Sequence, residues 1–178
     1  MLEYIYMAFL SPRQMIDSLD ITPGSTIVDL GSGSGAYVYE ACRVNGPHGR
    51  VIAVDIDKDK LDMVNSAAKI GGYKVDTLIA DLDKKIILPD YVADYIILAN
   101  TLHMIENKVQ ILKECARMLS PTGYMLLVDW NSDSNLGPKD VKLERAAIVA
   151  SLAASRLRVR RELPAGDHHF AYIIEPLK

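Results

Sequence analysis

The chain has 178 residues, of which 49% are hydrophobic and 24% charged, and its net charge is near −3. This is enough apolar material for one domain with a good core, and the charge gives no overall pull toward nucleic acid or anionic membrane. The two cysteines, Cys42 and Cys115, sit in helical patterns without metal-ligand or CxxC spacing, so they read as small buried hydrophobes in a reducing, cytoplasmic setting. Met1 to Leu10 is apolar but lacks a basic n-region and a cleavage site, and does not read as a signal peptide. No stretch approaches membrane-spanning length.

Ser11-Pro12-Arg13-Gln14 combines an N-cap, a proline at the first helical position and a capping-box glutamine, with Leu10 and Met15 as a hydrophobic staple. A short helix should start there and stop before Thr22-Pro23-Gly24. A first strand, Thr26 to Leu30, leads through a glycine turn into a helix from about Ser34 to Val44, which Asn45-Gly46-Pro47 ends. A second strand is Val51 to Asp55. Asp57 caps the next helix, which carries Leu61, Val64 and Ala68 on one face and stops at Gly71-Gly72. Lys74 to Ala80 is a third strand and the apolar run Tyr95 to Ala99 a fourth, buried on both faces. A helix with Val109, Leu112, Ala116 and Leu119 follows, then a turn at Ser120-Pro121-Thr122-Gly123 and a fifth strand, Tyr124 to Asp129. After a polar loop, Trp130 to Pro138, comes a helix from roughly Lys139 to Ser155. Arg156 to Leu163 and His169 to Glu175 read as two last strands joined at Pro164-Ala165-Gly166-Asp167.

The most informative feature is Ile27-Val28-Asp29-Leu30-Gly31-Ser32-Gly33-Ser34-Gly35, followed about twenty residues on by Val51-Ile52-Ala53-Val54-Asp55. The glycines permit a tight turn and let a ligand lie against main-chain N–H groups at the next helix start. The carboxylate of Asp55 is placed for a ribose diol, so the pair describes a site for an adenosine-containing cofactor on a doubly wound α/β sheet. Gly31-x-Gly33-x-x-Ala36 also satisfies the dinucleotide fingerprint. Asp29 directly before the turn, where it would meet a pyrophosphate, and a third acidic strand end at Asp81 weigh against that reading.

Four ordered motifs, Val28 to Gly35, Ala53-Val54-Asp55-Ile56-Asp57, Ile79-Ala80-Asp81-Leu82 and Ala99-Asn100-Thr101-Leu102-His103-Met104-Ile105, carry a resemblance. The chain resembles a class I S-adenosylmethionine-dependent methyltransferase, and the likeness runs from Pro23 to Glu175. It implies a seven-stranded, mostly parallel, Rossmann-like sheet with an antiparallel last strand, as a single domain over residues 1–178. Residues 1–22 would be a helical segment covering the site and 23–178 the core. The resemblance further implies that S-adenosyl-L-methionine is held by Asp29 at its amine and by the turn Gly31, Ser32, Gly33 and Gly35. Asp55 would take the ribose, Ile56 the adenine face, Asp81 the adenine amino group, and Leu82 would offer its N–H to the ring. The carbonyl of Asn100 would serve the amine.

Asn100-Thr101-Leu102-His103 lacks the Asn/Asp-Pro-Pro-aromatic motif of many amino-group methyltransferases and the cysteine nucleophile of cytosine C5 enzymes. It is similar to the corresponding segment of small-molecule methyltransferases of the ubiquinone/menaquinone biosynthesis type. A small, apolar or phenolic acceptor is therefore expected, with no nucleic acid or membrane partner and with a homodimer left open. The alternative is a donor-binding module that acts on a macromolecule or with a partner subunit. The basic run Arg156, Arg158, Arg160, Arg161 alternates with Leu157 and Val159, which reads as the wet face of an edge strand rather than a nucleic-acid footprint. Tyr4, Tyr6, Met7 and Phe9 are either a cover over the site or packing for the first helix. If the acceptor must lose a proton, His103 or His169 is the base, His103 being favoured because it follows the fourth strand.

Overall fold

The structure, a computed structural model, describes residues 10–132, 134, 136–138 and 143–177. Ser11 opens helix α1 (Pro12–Asp17), its hydroxyl accepting from the Gln14 N–H, and Met15 and Ile16 are buried against helix α2 (Ala36–Asn45). The expected cover residues Tyr4, Tyr6, Met7 and Phe9 lie outside the described residues.

Among the described residues, seven strands form one sheet in the order β3-β2-β1-β4-β5-β7-β6. They are β1 (Thr26–Leu30), β2 (Arg50–Asp55), β3 (Val75–Ile79), β4 (Ala93–Ala99), β5 (Leu119–Trp130), β6 (Leu157–Leu163) and β7 (His169–Pro176). The first five run parallel, and β7 is antiparallel to both β5 and β6. The chain starts at the centre and crosses between β3 and β4, so the strand order reverses beside β1. A crevice at the carboxyl ends there is a consequence of the topology.

Helices cover both faces, which is why β1, β2 and β4 are nearly continuous runs of buried apolar residues. One apolar cluster packs α4 (Lys108–Met118) and α5 (Arg145–Ala154) on the sheet through residues such as Leu112, Met118, Ile148 and Phe170. The other joins α1, α2 and α3 (Lys58–Ile70) through Ile16, Val38, Leu61 and Val64. Cys42 and Cys115 are buried in opposite clusters, and burial pushes their thiols up to about 11 and 12. No described helix is long and apolar enough to cross a membrane.

Two local expectations change. The turn at Ser120 to Gly123 lies inside β5 as a bulge: Leu119 pairs with Ala93 and Tyr124 with Tyr95. Pro121 has no N–H for a ladder, and a Cβ on Gly123 would stand 2.6 Å from the Asp94 carbonyl oxygen, so both residues suit an interruption that leaves the strand intact. Strand and helix do not alternate between β3 and β4 either. The crossing is made by loop, pinned where Ile86 is fully buried, its N–H donating to Glu114 at 3.1 Å while Arg117 donates to the carbonyls of Ile86 and Leu88. α5 begins at Arg145; residues 139–142 of the expected helix lie outside the described residues.

β6 is the sheet's outer strand, with Leu157 and Leu163 buried and Arg158 and Arg160 exposed. Both arginines pair with Glu175, and Arg161 donates to the Ser18 carbonyl.

Asn45, at the end of α2, ties the starts of the first two strands together. Its Oδ1 accepts from the Ser25 N–H at 2.9 Å, and its Nδ2 donates to the Ser25 carbonyl at 2.8 Å. Asn45→Ala leaves both groups without a side-chain partner and is expected to lower the unfolding free energy by about 1–3 kcal/mol in urea denaturation.

Candidate active site

A cavity of about 540 Å³ opens at the carboxyl ends of β1, β2, β3 and β4. Asp29, Gly31, Ser32, Gly33, Asp55, Ile56, Asp81, Leu82 and Asn100 all line it. Gly35 does not; it is the N-cap of α2, in the left-handed region at φ +91°, against the ring of Tyr39.

The glycine turn is closed by β2. Gly31 N–H and Ser32 N–H both donate to the Val54 carbonyl, Gly33 N–H donates to Asp55 Oδ2 at 2.8 Å, and Gly35 N–H donates to the Ser32 carbonyl. These four donors are already used, which leaves the N–H groups at the start of α2 as the main-chain donors expected to face a ligand. A Cβ on Gly31 would stand 2.4 Å from Thr101 Oγ1, so the turn also presses against the segment after β4. Gly33, by contrast, faces open space.

Two carboxylates stand beside this turn with different partners. Asp55 is buried, and its Oδ1 accepts from the Asp57 N–H at 3.0 Å while Oδ2 holds Gly33. It is not a solvent-facing tip, and truncating it would release the turn. Asp29 is buried with no hydrogen-bond partner for Oδ2. Burial first, and the Asp55 charge second, push its carboxyl from the ordinary 3.8 to about 7.

Three further buried polar atoms without partners line the same cavity: Ser32 Oγ, Tyr37 Oη and Asn100 Oδ1. Asn100 is in the left-handed region at φ +52°, which asparagine tolerates, and its N–H donates to Val128. Tyr37 escaped the sequence reading. Its position in the first turn after the glycines was the available signal, and burial followed by the Asp29 charge pushes its hydroxyl up, keeping it protonated.

Asp81 accepts from the Asp83 N–H at 3.0 Å and pairs with Lys84 at 3.0 Å, contacts that hold its carboxyl below the ordinary range. Leu82 packs on the core beneath, and Ile56 and Met104 present exposed apolar side chains at the mouth.

Neither candidate base lines this cavity. His103 lies in a 3-10 turn, Leu102–Met104, directly after the lining residues Asn100 and Thr101. Its Nδ1 is 2.7 Å from Asp129 Oδ1, and its backbone N–H donates to Asp129 Oδ2 at 3.1 Å. Asp129 is fully buried and also accepts from the Trp130 N–H. With both Asp129 oxygens serving as acceptors, Nδ1 is the ring nitrogen that donates to the carboxylate, and Nε2 is the one turned away from it. Asp129 was passed over because only strand pairing brings it to His103. His169 stands opposite Trp130 across the β5–β7 pair, ring centroids 4.1 Å apart, and both its ring nitrogens are buried without partners. It lines a second cavity of about 580 Å³, beside Leu10, Met15 and Phe170.

A family profile described as a methyltransferase domain matches residues 21–166. A ubiquinone/menaquinone biosynthesis C-methyltransferase of Hahella chejuensis is 26% identical over 124 residues, 69% of this chain and 50% of that protein. A demethylmenaquinone methyltransferase of Bacillus cytotoxicus is 21% identical over 129 residues, 72% of this chain and 54% of that one. The chain thus spans about half the length of these curated relatives. A solved SAM-dependent methyltransferase from Aquifex aeolicus superposes with a TM-score of 0.84 at 25% identity, covering 93% of this chain and 89% of its own.

The raised carboxyl of Asp29 has a signed consequence for stability. The folded protein holds that proton up to about pH 7, whereas the unfolded chain releases it near 3.8. The contribution is therefore fully present below about pH 4 and lost as pH rises through 7. In urea denaturation without ligand, Asp29→Asn is expected to remove this decline between pH 4 and 7; an unchanged pH slope would place the titration elsewhere.

Proposed function

The chain belongs to the methyltransferase-domain family, and from that premise we propose that it transfers a methyl group from S-adenosyl-L-methionine to a small-molecule acceptor. One observation carries the reading. Four buried polar atoms without partners, Asp29 Oδ2, Ser32 Oγ, Tyr37 Oη and Asn100 Oδ1, belong to residues that line one cavity. Such a set suits a ligand that brings cationic or neutral donors. It suits a pyrophosphate badly, since two carboxylates face that space.

Asp29 and Asn100 would accept from the donor's amine, and Tyr37 would offer its hydroxyl to the carboxylate. Asp55 keeps unused lone pairs for a ribose hydroxyl while it holds Gly33. Ile56 and Met104 would cover an adenine ring, with Asp81 and Leu82 at its polar edge. When bound, this donor would supply an electrophilic methyl carbon with sulfur as the leaving group. The protein's part is to align the acceptor and exclude water. For an acceptor that must lose a proton, His103 is the candidate base: Asp129 orients its ring, steadies the charge it gains, and leaves Nε2 as the accepting atom.

The macromolecular alternative draws no support from the basic strand, whose Arg158 and Arg160 are paired with Glu175. The two buried thiols accord with a cytoplasmic protein.

Calorimetry with S-adenosylhomocysteine and with NAD⁺ tests the cofactor: the first is expected to bind and the second not. An ammonium arriving at Asp29 should expel its proton, so below pH 7 binding should release protons in the wild type and release fewer in Asp29→Asn. Tight NAD⁺ binding alone would refute the reading. With a phenolic acceptor, His103→Asn is expected to lower kcat about 10²–10⁴-fold and to abolish the acidic limb of the pH–rate profile. Retention of both would remove the base.

A further inference from the structure

We propose that the second cavity, at the start of β7, is the acceptor pocket, and that it takes a neutral, hydroxyl-bearing apolar molecule held by His169. The proposal rests on the methyl-transfer reading for its purpose, though not for its geometry.

Position comes first. Ala99 pairs with Val128 across β4 and β5, and Trp130 with His169 across β5 and β7. The antiparallel direction of β7 thereby brings the beginning of that strand to the sheet end where β4 finishes. Two strand spacings, about 10 Å, separate the line of β4 from that of β7. A molecule of ring size in the second cavity can therefore extend toward the first.

The lining chemistry selects the ligand. Leu10, Met15, Leu163 and Phe170 give apolar walls, and about 580 Å³ suits a small organic molecule. The charges along it are compensated. Arg145 pairs with Glu162 at 2.6 Å and donates to Asn131 Oδ1, and Asp167 adds a negative charge at the wall, so among the described residues an anion gains no free cation here.

His169 is the exception. It is 6% exposed, packed against Trp130 with the two rings tilted by 35°, and neither ring nitrogen has a partner. Burial lowers its tendency to protonate, with the nearby Asp129 charge opposing and His168 reinforcing that shift. A neutral imidazole presents one donor and one acceptor. An alcohol or phenol oxygen can accept from the first, or give its proton to the second, which a hydrocarbon cannot. Two unpartnered buried nitrogens cost stability until something answers them.

The test uses the full chain, 15N-labelled at histidine and saturated with S-adenosylhomocysteine, titrated with p-cresol and, separately, with benzoate. Imidazole nitrogen resonances report contact at His169. The expected result is that p-cresol shifts the His169 signals in the millimolar range and benzoate binds more weakly. His169→Phe keeps an aromatic ring against Trp130 and should fold; p-cresol affinity, followed there by calorimetry, is expected to fall about tenfold. His169→Gln, which restores a donor and an acceptor, should recover part of the loss. No shift with p-cresol, as for a cavity answered by water alone, overturns the proposal. Equal affinity in His169→Phe overturns it too, as does benzoate binding as tightly as p-cresol. Calorimetry of S-adenosylhomocysteine on the same samples separates the two readings. Donor binding without p-cresol contact removes the pocket alone; p-cresol contact without donor binding removes the methyl-transfer reading and leaves the pocket.

Discussion

Two carboxylates stand at the ends of neighbouring parallel strands, and only one of them is given hydrogen bonds. Asp55 accepts from Gly33 and Asp57, which locks the glycine turn onto β2. Asp29, with Oδ2 unpartnered and next to the Asp55 charge, is pushed toward neutrality. The asymmetry follows from chain direction: Asp55 is the last residue of its strand, where N–H groups of the next segment turn back, whereas Asp29 is still inside β1 with its backbone committed to the sheet. Each buried acceptor left open costs about 1–3 kcal/mol relative to a satisfied one. The glycine turn is thereby held rigidly on β2, while the buried side-chain acceptors beside it stay open.

The parallel centre of the sheet was legible because burial on both faces writes itself as unbroken apolar runs, as in Ile96-Ile97-Leu98. Helix starts were legible for a local reason, since Ser11 and Asp57 cap within three residues of themselves. What stayed hidden is non-local. The β3–β4 crossing has no helix because Glu114 and Arg117, more than twenty residues further on, satisfy the backbone of Ile86 and Leu88. The bulge in β5 reads as a turn locally, and only the pairing of Leu119 with Ala93 reveals that the ladder has already begun. In the site, the lining residues followed from motif order, but the sequence could not apportion roles between two acids. The loop is tied by Asp55, and the partner of His103 becomes visible only once β4 and β5 are adjacent.

The antiparallel β7 changes what the carboxyl end of the sheet can offer. Five parallel strands deliver only their last residues there. A strand running the other way delivers its first residues, His169 and Phe170, to that same end. They fall on opposite faces, Phe170 in the core under α5 and His169 toward Trp130. The second cavity is lined by these first residues of the reversed strand together with the β6–β7 turn.

The segment after β4 joins the two regions mechanically. Asn100 sits in a left-handed conformation, fixed by its N–H on Val128. Thr101 then packs against Gly31 and bonds to the Ala99 carbonyl, and His103 is fastened at both its backbone and its ring to Asp129. Four residues thus touch the glycine turn at one end and the tip of β5 at the other. A side chain added at Gly31 would drive Thr101 outward, and the displacement would pass through the short 3-10 turn to His103 and Asp129. The glycine is required there by a contact across the sheet as much as by the conformation of its own turn.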